Sequence, residues 1–408
     1  MRHRVVHPWV LGAVIALAAV LQTAAQTSTS LDQTLRAAVD RGDIAGVVVL
    51  ATDRRGVIYN GAFGERNAAH ARMSDDTIFR IASMTKPVTS VALMQLVEQH
   101  RVALDDPADK YLPAFRNLQV FESFDARTGA YTLRAARRAP TVRELLTHTS
   151  GLAYPFVSPT MRDFKPRDGE KYEAGPLLFD PGTRWHYGPS TLWVGKIVEA
   201  VSRQTLEDYF QEHILRPLGM PDTSFNVPRE KQGRVATVHL RQADGSLVER
   251  PQGELPVVTE YRGDGGLYST ARDYMRFARM IANDGELEGK RLIRPDTVRL
   301  MAENQIGTLP VLALETAIPE QSRDFTIVDE RSDRWGLGFL IRGRAVPGMR
   351  APGSLSWGGI DNTYFWIDRQ RGIAGVVLMQ MLPFTDEKAL AAADAFERGV
   401  YQLAATRK

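Results

Sequence analysis

Strand-like runs stand at both ends of this chain with a helical stretch between them, and that distribution narrows the folds open to it. Near the start, the β-branched run Val47, Val48, Val49 and Leu50 is followed by the turn-like Asp53 to Gly56 and a second short run, Val57 to Tyr59. Near the end, Tyr364 to Ile367 and Ile373 to Met379 flank Asp368, Arg369, Gln370, Arg371 and Gly372. Each pair reads as a hairpin. Ahead of the first, Ser30 and Gln33 have capping-box spacing, and Leu31, Leu35, Ala38 and Val39 form one helical face. After the second, Thr385 leads into a helix from about Asp386, with Asp386 and Glu387 at the positive end of its dipole and Leu390, Ala393, Phe396, Val400 and Leu403 on its apolar face. The middle, roughly residues 105 to 250, is richer in helical patterns and in Pro/Gly loops. The expectation is an α+β fold: an antiparallel sheet flanked by N- and C-terminal helices, with a mostly helical lobe inserted between its strands.

Residues 1 to 25 read differently. Arg2 and Arg4 precede an apolar run from Trp9 to Leu21, and small residues follow at Thr23, Ala24 and Ala25. This is the pattern of a secretory signal with cleavage after Ala25, and the run falls short of the ~20 residues that span a bilayer. The mature domain is then 26–408, exported to the periplasm or beyond, with no stable membrane insertion. The chain has no cysteine, so disulfides, a lipidated N-terminal cysteine, a thiol nucleophile and thiolate metal sites are all excluded. A net charge of +3 demands no acidic partner, and Arg134, Arg137 and Arg138 sit beside alanines rather than aromatics, as solvated surface does. No nucleic-acid partner is expected.

The chemistry concentrates in three places. Phe79-Arg80-Ile81-Ala82-Ser83-Met84-Thr85-Lys86-Pro87 leads into a helix apolar on nearly every face, with Val88, Val91, Leu93, Met94, Leu96 and Val97, so Ser83 stands at the N-terminus of a buried helix. Three-residue spacing puts Lys86 on the same face. A desolvated lysine loses proton affinity and can take the serine proton, while the helix N-terminus favours the negative charge that develops. Pro87 costs little within the first turn. Alone the motif is weak, because a chain this long shows about one Ser-x-x-Lys by chance. The second place is Pro181-Gly182-Thr183-Arg184-Trp185-His186-Tyr187-Gly188-Pro189-Ser190, a rigid turn that delivers a tyrosine able to act as base and then as acid. The third is Ser354-Leu355-Ser356-Trp357-Gly358-Gly359-Ile360, where paired glycines let backbone approach a substrate and a strand-edge N–H can face an oxyanion.

In order and spacing these elements resemble the serine β-lactamase and penicillin-binding superfamily, most closely the class C-like branch that includes the family VIII carboxylesterases. Flanking phrases carry the resemblance over nearly the whole mature chain: Leu145 to Leu152, Pro217 to Met220 with Asp222-Thr223, Gly265 to Thr270 with Asp273, and Trp335 to Gly338. The resemblance implies Ser83 as acylated nucleophile, Lys86 as its base partner and Tyr187 as second proton carrier. It implies an oxyanion held by the backbone N–H groups of Ser83 and Ile360, and substrate contacts at Trp357, Gly358, Gly359 and Ser190. Neither a cofactor nor a metal is implied. Two positions depart from the β-lactamase pattern: Tyr187-Gly188-Pro189 stands in place of Tyr-x-Asn, and Trp357-Gly358-Gly359 in place of Lys-Thr-Gly, the latter as the esterase branch tends to show. The expected activity is hydrolysis of small acyl esters or lactones through an acyl-serine. The alternatives are a β-lactamase or D-amino-acid peptidase or amidase, and an inactive binder of cell-wall fragments. His148 and His186 lack metal-ligand spacing, Gly-x-Ser-x-Gly is absent, and Ser150 before Gly151 reads as a turn or cap serine.

Overall fold

The computed structural model describes residues 26–67 and 69–407; the signal-like segment 1–25 lies outside them. Seven antiparallel strands form the main sheet: β1 (Gly46–Asp53), β2 (Gly56–Gly64), β3 (Arg334–Trp335), β4 (Leu340–Ile341), β5 (Leu355–Gly359), β6 (Thr363–Asp368) and β7 (Ile373–Leu378), in the order β3-β4-β5-β6-β7-β1-β2. Both expected hairpins are present. They are joined by β1 and β7, with Val48 opposite Leu378 and Thr52 opposite Ala374, so the two ends of the chain close one sheet. Asp53 Oδ1 accepts from the N–H groups of Arg55 and Gly56, which sets the first turn.

Both faces of the sheet are covered, and for this reason β1 is a continuous apolar run. Val47 and Val49 face the terminal helices with Leu35, Trp366, Phe396 and Val400, whereas Val48 and Leu50 face the other way with Val88, Val91, Phe277 and Phe365. The first helix, α1, covers residues 26–40. Ser30 therefore lies inside it rather than capping it, and its carbonyl accepts from the Thr34 hydroxyl at 2.8 Å; nothing in Thr27 to Ser30 breaks a helix. The last helix, α5 (Glu387–Thr406), is capped by Asp386, whose side chain accepts from the N–H groups of Lys388 and Ala389. Its buried stripe centres on Ala389, Ala392, Phe396, Val400 and Leu403.

Residues 65–333 run between β2 and β3. They supply α2 (Thr85–Glu98), α3 (Ser190–Ser202) and α4 (Ala271–Ala282). The middle stretch is not purely helical: Gln119–Phe124 pairs with Tyr131–Ala135, and His239–Arg241 with Leu247–Glu249. The basic residues there are committed, Arg134 to Asp180 and Arg138 to Glu144. The flanking phrases prove to be joints. Asp273 accepts from Asp222 N–H and the Thr223 hydroxyl, Thr270 caps α4, and the Trp335 indole donates to the Leu146 carbonyl at 3.2 Å. Among the described residues no helix is long and apolar enough to cross a membrane.

Candidate active site

Ser83 stands on a turn pinned from several sides. Phe79–Arg80 is a short strand, Ala82–Met84 a 3-10 turn, and α2 follows directly. Ala82 has φ +43°, the left-handed region that disfavours a side chain, so the turn carries strain that its surroundings must hold. They do so through polar contacts. The Arg80 guanidinium is bidentate on the fully buried Asp361 (2.7 and 2.5 Å), the Arg80 N–H donates to Gln380 Oε1 (2.8 Å), and the Tyr274 hydroxyl donates to the Met84 carbonyl (2.9 Å). Ser83 is half-buried, while Lys86 is 1% exposed.

The side chains converge on the serine oxygen. Lys86 Nζ donates to Ser83 Oγ at 3.0 Å, and the Tyr187 hydroxyl donates to the same oxygen at 2.7 Å. The Trp357 indole N–H donates to the Tyr187 oxygen at 3.1 Å. Lys86 Nζ also donates to the Tyr154 hydroxyl (3.1 Å) and to the Asp264 carbonyl (2.7 Å), and it lies 4.8 Å from the centre of the Tyr187 ring. Tyr154 in turn donates to Asp264 Oδ2 at 2.5 Å. Burial first, and then the Asp264 charge, push the Tyr154 phenol well above the usual tyrosine range. His148 packs 4.9 Å from the Tyr187 ring, and burial followed by the Lys86 charge pushes it well below the usual histidine range, so it is neutral beside the lysine.

Local backbone explains how Tyr187 arrives. Gly182 (φ +84°) sits so close to Glu144 that a Cβ would lie 2.5 Å from Oε1, and Arg138 ties Glu144 to the Pro181 carbonyl. At Gly188 a Cβ would lie 2.1 Å from the Leu152 carbonyl, so only glycine lets this segment lie against residues 152–154. That contact sets Tyr154 beside Tyr187, with Tyr154 N–H donating to the Tyr187 carbonyl at 3.3 Å.

The structure brings Ser83, Lys86, Tyr187 and Trp357 together. Trp357, expected to touch substrate, is 3% exposed, and its indole N–H is committed to Tyr187. Gly358 and Gly359 serve packing. A Cβ on Gly359 would lie 2.3 Å from the Ile81 carbonyl, so β5 is pressed against the nucleophile turn, and one on Gly358 would strike the Tyr364 ring. Ile360 is half-buried and opens the turn Ile360-Asp361-Asn362 beside that contact. Ser190 is placed elsewhere: it is fully buried, with its hydroxyl 2.8 Å from that of Ser150, so both serines are structural. Tyr154 and Asp264 were not foreseen. Tyr154 follows the Leu145 to Leu152 phrase and Asp264 precedes Gly265, so proximity to the matched phrases was the available signal.

A serine flanked by a buried lysine and a tyrosine at the start of a helix, on an antiparallel sheet closed by terminal helices, defines a serine hydrolase-type enzyme. The chain belongs to the Beta-lactamase family, whose model matches residues 31–398, and its fold is the β-lactamase/transpeptidase-like one. It is 31% identical to the lovastatin esterase of Penicillium rubens over 91% of this chain and 98% of that protein. It is 32% identical to the monacolin J acid methylbutanoyltransferase of Aspergillus terreus over 96% of this chain and 98% of that one. A solved mutant of the simvastatin synthase of Aspergillus terreus superposes with a TM-score of 0.78 at 30% identity, covering 92% of this chain and 97% of that one.

Two substitutions test the geometry. Trp357→Phe removes the donor to Tyr187 and should lower kcat about tenfold or more while leaving the fold intact, since a hydrogen bond to a charged oxygen contributes about 1.5–3 kcal/mol. Gly359→Ala should lower activity further and also depress Tm, because the clash is with backbone. Steady-state kinetics and thermal melting check both; wild-type kcat in Trp357→Phe contradicts the role given to the indole.

Proposed function

We propose that this protein hydrolyses small, apolar acyl esters or lactones through an acyl-Ser83 intermediate. The observation that carries the reading is the convergence of Lys86 and Tyr187 on one serine oxygen, with Trp357 behind Tyr187. Ser83 attacks the ester carbonyl as its proton passes to Lys86, and the backbone N–H groups of Ser83 and Ile360 hold the oxyanion. The Ser83 N–H precedes the first intrahelical acceptor and is free for that purpose. Tyr187 gives its proton to the departing alkoxide, and the resulting phenolate is stabilised by the Trp357 N–H and the Lys86 ammonium. Water then attacks the acyl-enzyme and returns a proton to Tyr187, while Ser83 recovers its own from Lys86. Atoms and charge balance over the cycle, and no cofactor enters it.

The half-buried rings of Tyr154 and Phe156 form an aromatic wall beside Tyr187, backed by the buried Phe325 and Trp357. Such a wall suits an apolar acyl group. It does not suit a β-lactam, whose carboxylate and side-chain amide need charged and polar partners: Trp357 is buried with its N–H committed, and Pro189 offers no donor. A second acceptor is favoured by the relatives. Several are named acyltransferases, so transfer of the acyl group from Ser83 to an alcohol is the alternative outcome of the same intermediate. Export is also proposed, on the sequence of residues 1–25 alone.

Short-chain p-nitrophenyl esters should be cleaved at least about a hundredfold more efficiently than nitrocefin, because the charged hydrogen bonds a cephalosporin lacks here are worth about 1.5–3 kcal/mol each. Ser83→Ala should abolish ester turnover. Comparable kcat/KM for the two substrates on one preparation would move the protein to the β-lactamase reading. N-terminal sequencing of exported protein should begin at Gln26 or within a few residues of it; an intact Met1 on a membrane-embedded product contradicts export.

A further inference from the structure

Asp264 is an expensive residue to keep where it is. It is 2% exposed, one carboxylate oxygen carries both the Tyr154 hydroxyl and the Arg262 guanidinium (2.8 Å), and the other oxygen is buried without a partner. A buried, half-satisfied carboxylate calls for an explanation beyond packing. Its segment is held firmly. The Thr89 hydroxyl, one turn along α2 from Lys86, donates to the Gly263 carbonyl at 2.6 Å. A Cβ on Gly263 would lie 2.9 Å from the Thr191 carbonyl, so the loop is threaded between α2 and α3.

The hydrogen-bond inventory gives the explanation. A carboxylate only accepts, so Tyr154 spends its single proton on Asp264 and turns a lone pair to Lys86. The Asp264 backbone carbonyl is likewise acceptor-only. Two of the lysine's three substituent directions are thereby committed to donation, at 3.1 and 2.7 Å, and the third points at Ser83 Oγ at 3.0 Å. As an ammonium, Lys86 presents its third N–H to the serine; as an amine, it presents its lone pair there. We propose that Asp264 is a positioning residue for acylation, using Tyr154 to fix the direction in which Lys86 exchanges its proton, so that Ser83 is the partner in both charge states. The proposal rests on the acyl-Ser83 reading above. Without the carboxylate, the Tyr154 proton is released and can be donated to the amine lone pair, in competition with Ser83.

The test is the split between kcat and KM on p-nitrophenyl butyrate. The titratable or charged groups around Lys86 are Tyr154, Tyr187, His148 and the Asp264–Arg262 pair. Asp264→Leu and Tyr154→Phe should each lower kcat by about a hundredfold with KM changed little, as misaimed catalytic groups do, and the double variant should be no worse than the poorer single one. Asp264→Asn keeps an acceptor for Tyr154 but loses the charge. It should retain activity within about tenfold. A near-wild-type Asp264→Leu, a double variant whose loss is the product of the two singles, or an Asp264→Asn as impaired as Asp264→Leu would each overturn the proposal. If Asp264→Leu does not fold, Asp264→Asn and Tyr154→Phe decide it alone. Ser83→Ala run in parallel separates the two readings: an active Ser83→Ala overturns both, whereas an inactive one beside a fully active Asp264→Leu overturns only the role of Asp264.

Discussion

The amino group of Lys86 is almost wholly withdrawn from water, and much of the site is arranged around that fact. An isolated buried charge is costly unless every donor finds an acceptor. Here one acceptor, Ser83, lies in the turn just before α2, and two come from distant parts of the chain: Tyr154 on the segment leading from the 145–152 phrase, and the Asp264 carbonyl from the loop threaded between α2 and α3. The cost of burial is thus offset only when the segments that carry Ser83, Tyr154 and Asp264 are assembled around Lys86. Satisfying Lys86 and aligning the nucleophile are one structural event.

Close backbone approach is the second requirement. Gly359 against the Ile81 carbonyl, Gly188 against the Leu152 carbonyl and Gly263 against α2 and α3 each occupy a place where a methyl group would collide with main chain. These three contacts bring the third, second and loop elements of the site to the serine. The first of them presses on the residue before the left-handed Ala82, a conformation a free turn would relax. The Arg80–Asp361 pair performs the corresponding task with charge, tying the strand before Ser83 to the turn that begins at Ile360.

Much of this was legible in the sequence because it depends on local pattern. The two hairpins, the C-terminal helix and the all-round apolar α2 follow from residue type and period, and the Ser83–Lys86 spacing follows from helical geometry. What was not legible depends on partners far apart in the chain. Trp357 looked like a substrate contact because its glycine neighbours suggest an open strand edge, yet its indole reaches the Tyr187 oxygen, 170 positions away. Ser190 looked like part of the tyrosine motif, but the helix it starts turns its hydroxyl inward to Ser150. The Gln119–Phe124 hairpin lacks clean alternation and is held by clustered aromatic rings, Phe121 with Phe124, Tyr131 and Phe164. Adjacency to the Gly265 to Thr270 phrase is all that marks Asp264 locally; its burial and its contact with Tyr154 depend on residues 110 positions away.

The central claim is that Ser83 becomes acylated and that Lys86 and Tyr187 make it reactive. The most direct measurement is peptide mapping by mass spectrometry after brief treatment with a fluorophosphonate. The account predicts a single adduct on Ser83, formed far more slowly in Lys86→Ala and Tyr187→Phe proteins that retain the wild-type circular dichroism spectrum. An adduct on Ser150, or labelling that persists unchanged in Ser83→Ala, would contradict it.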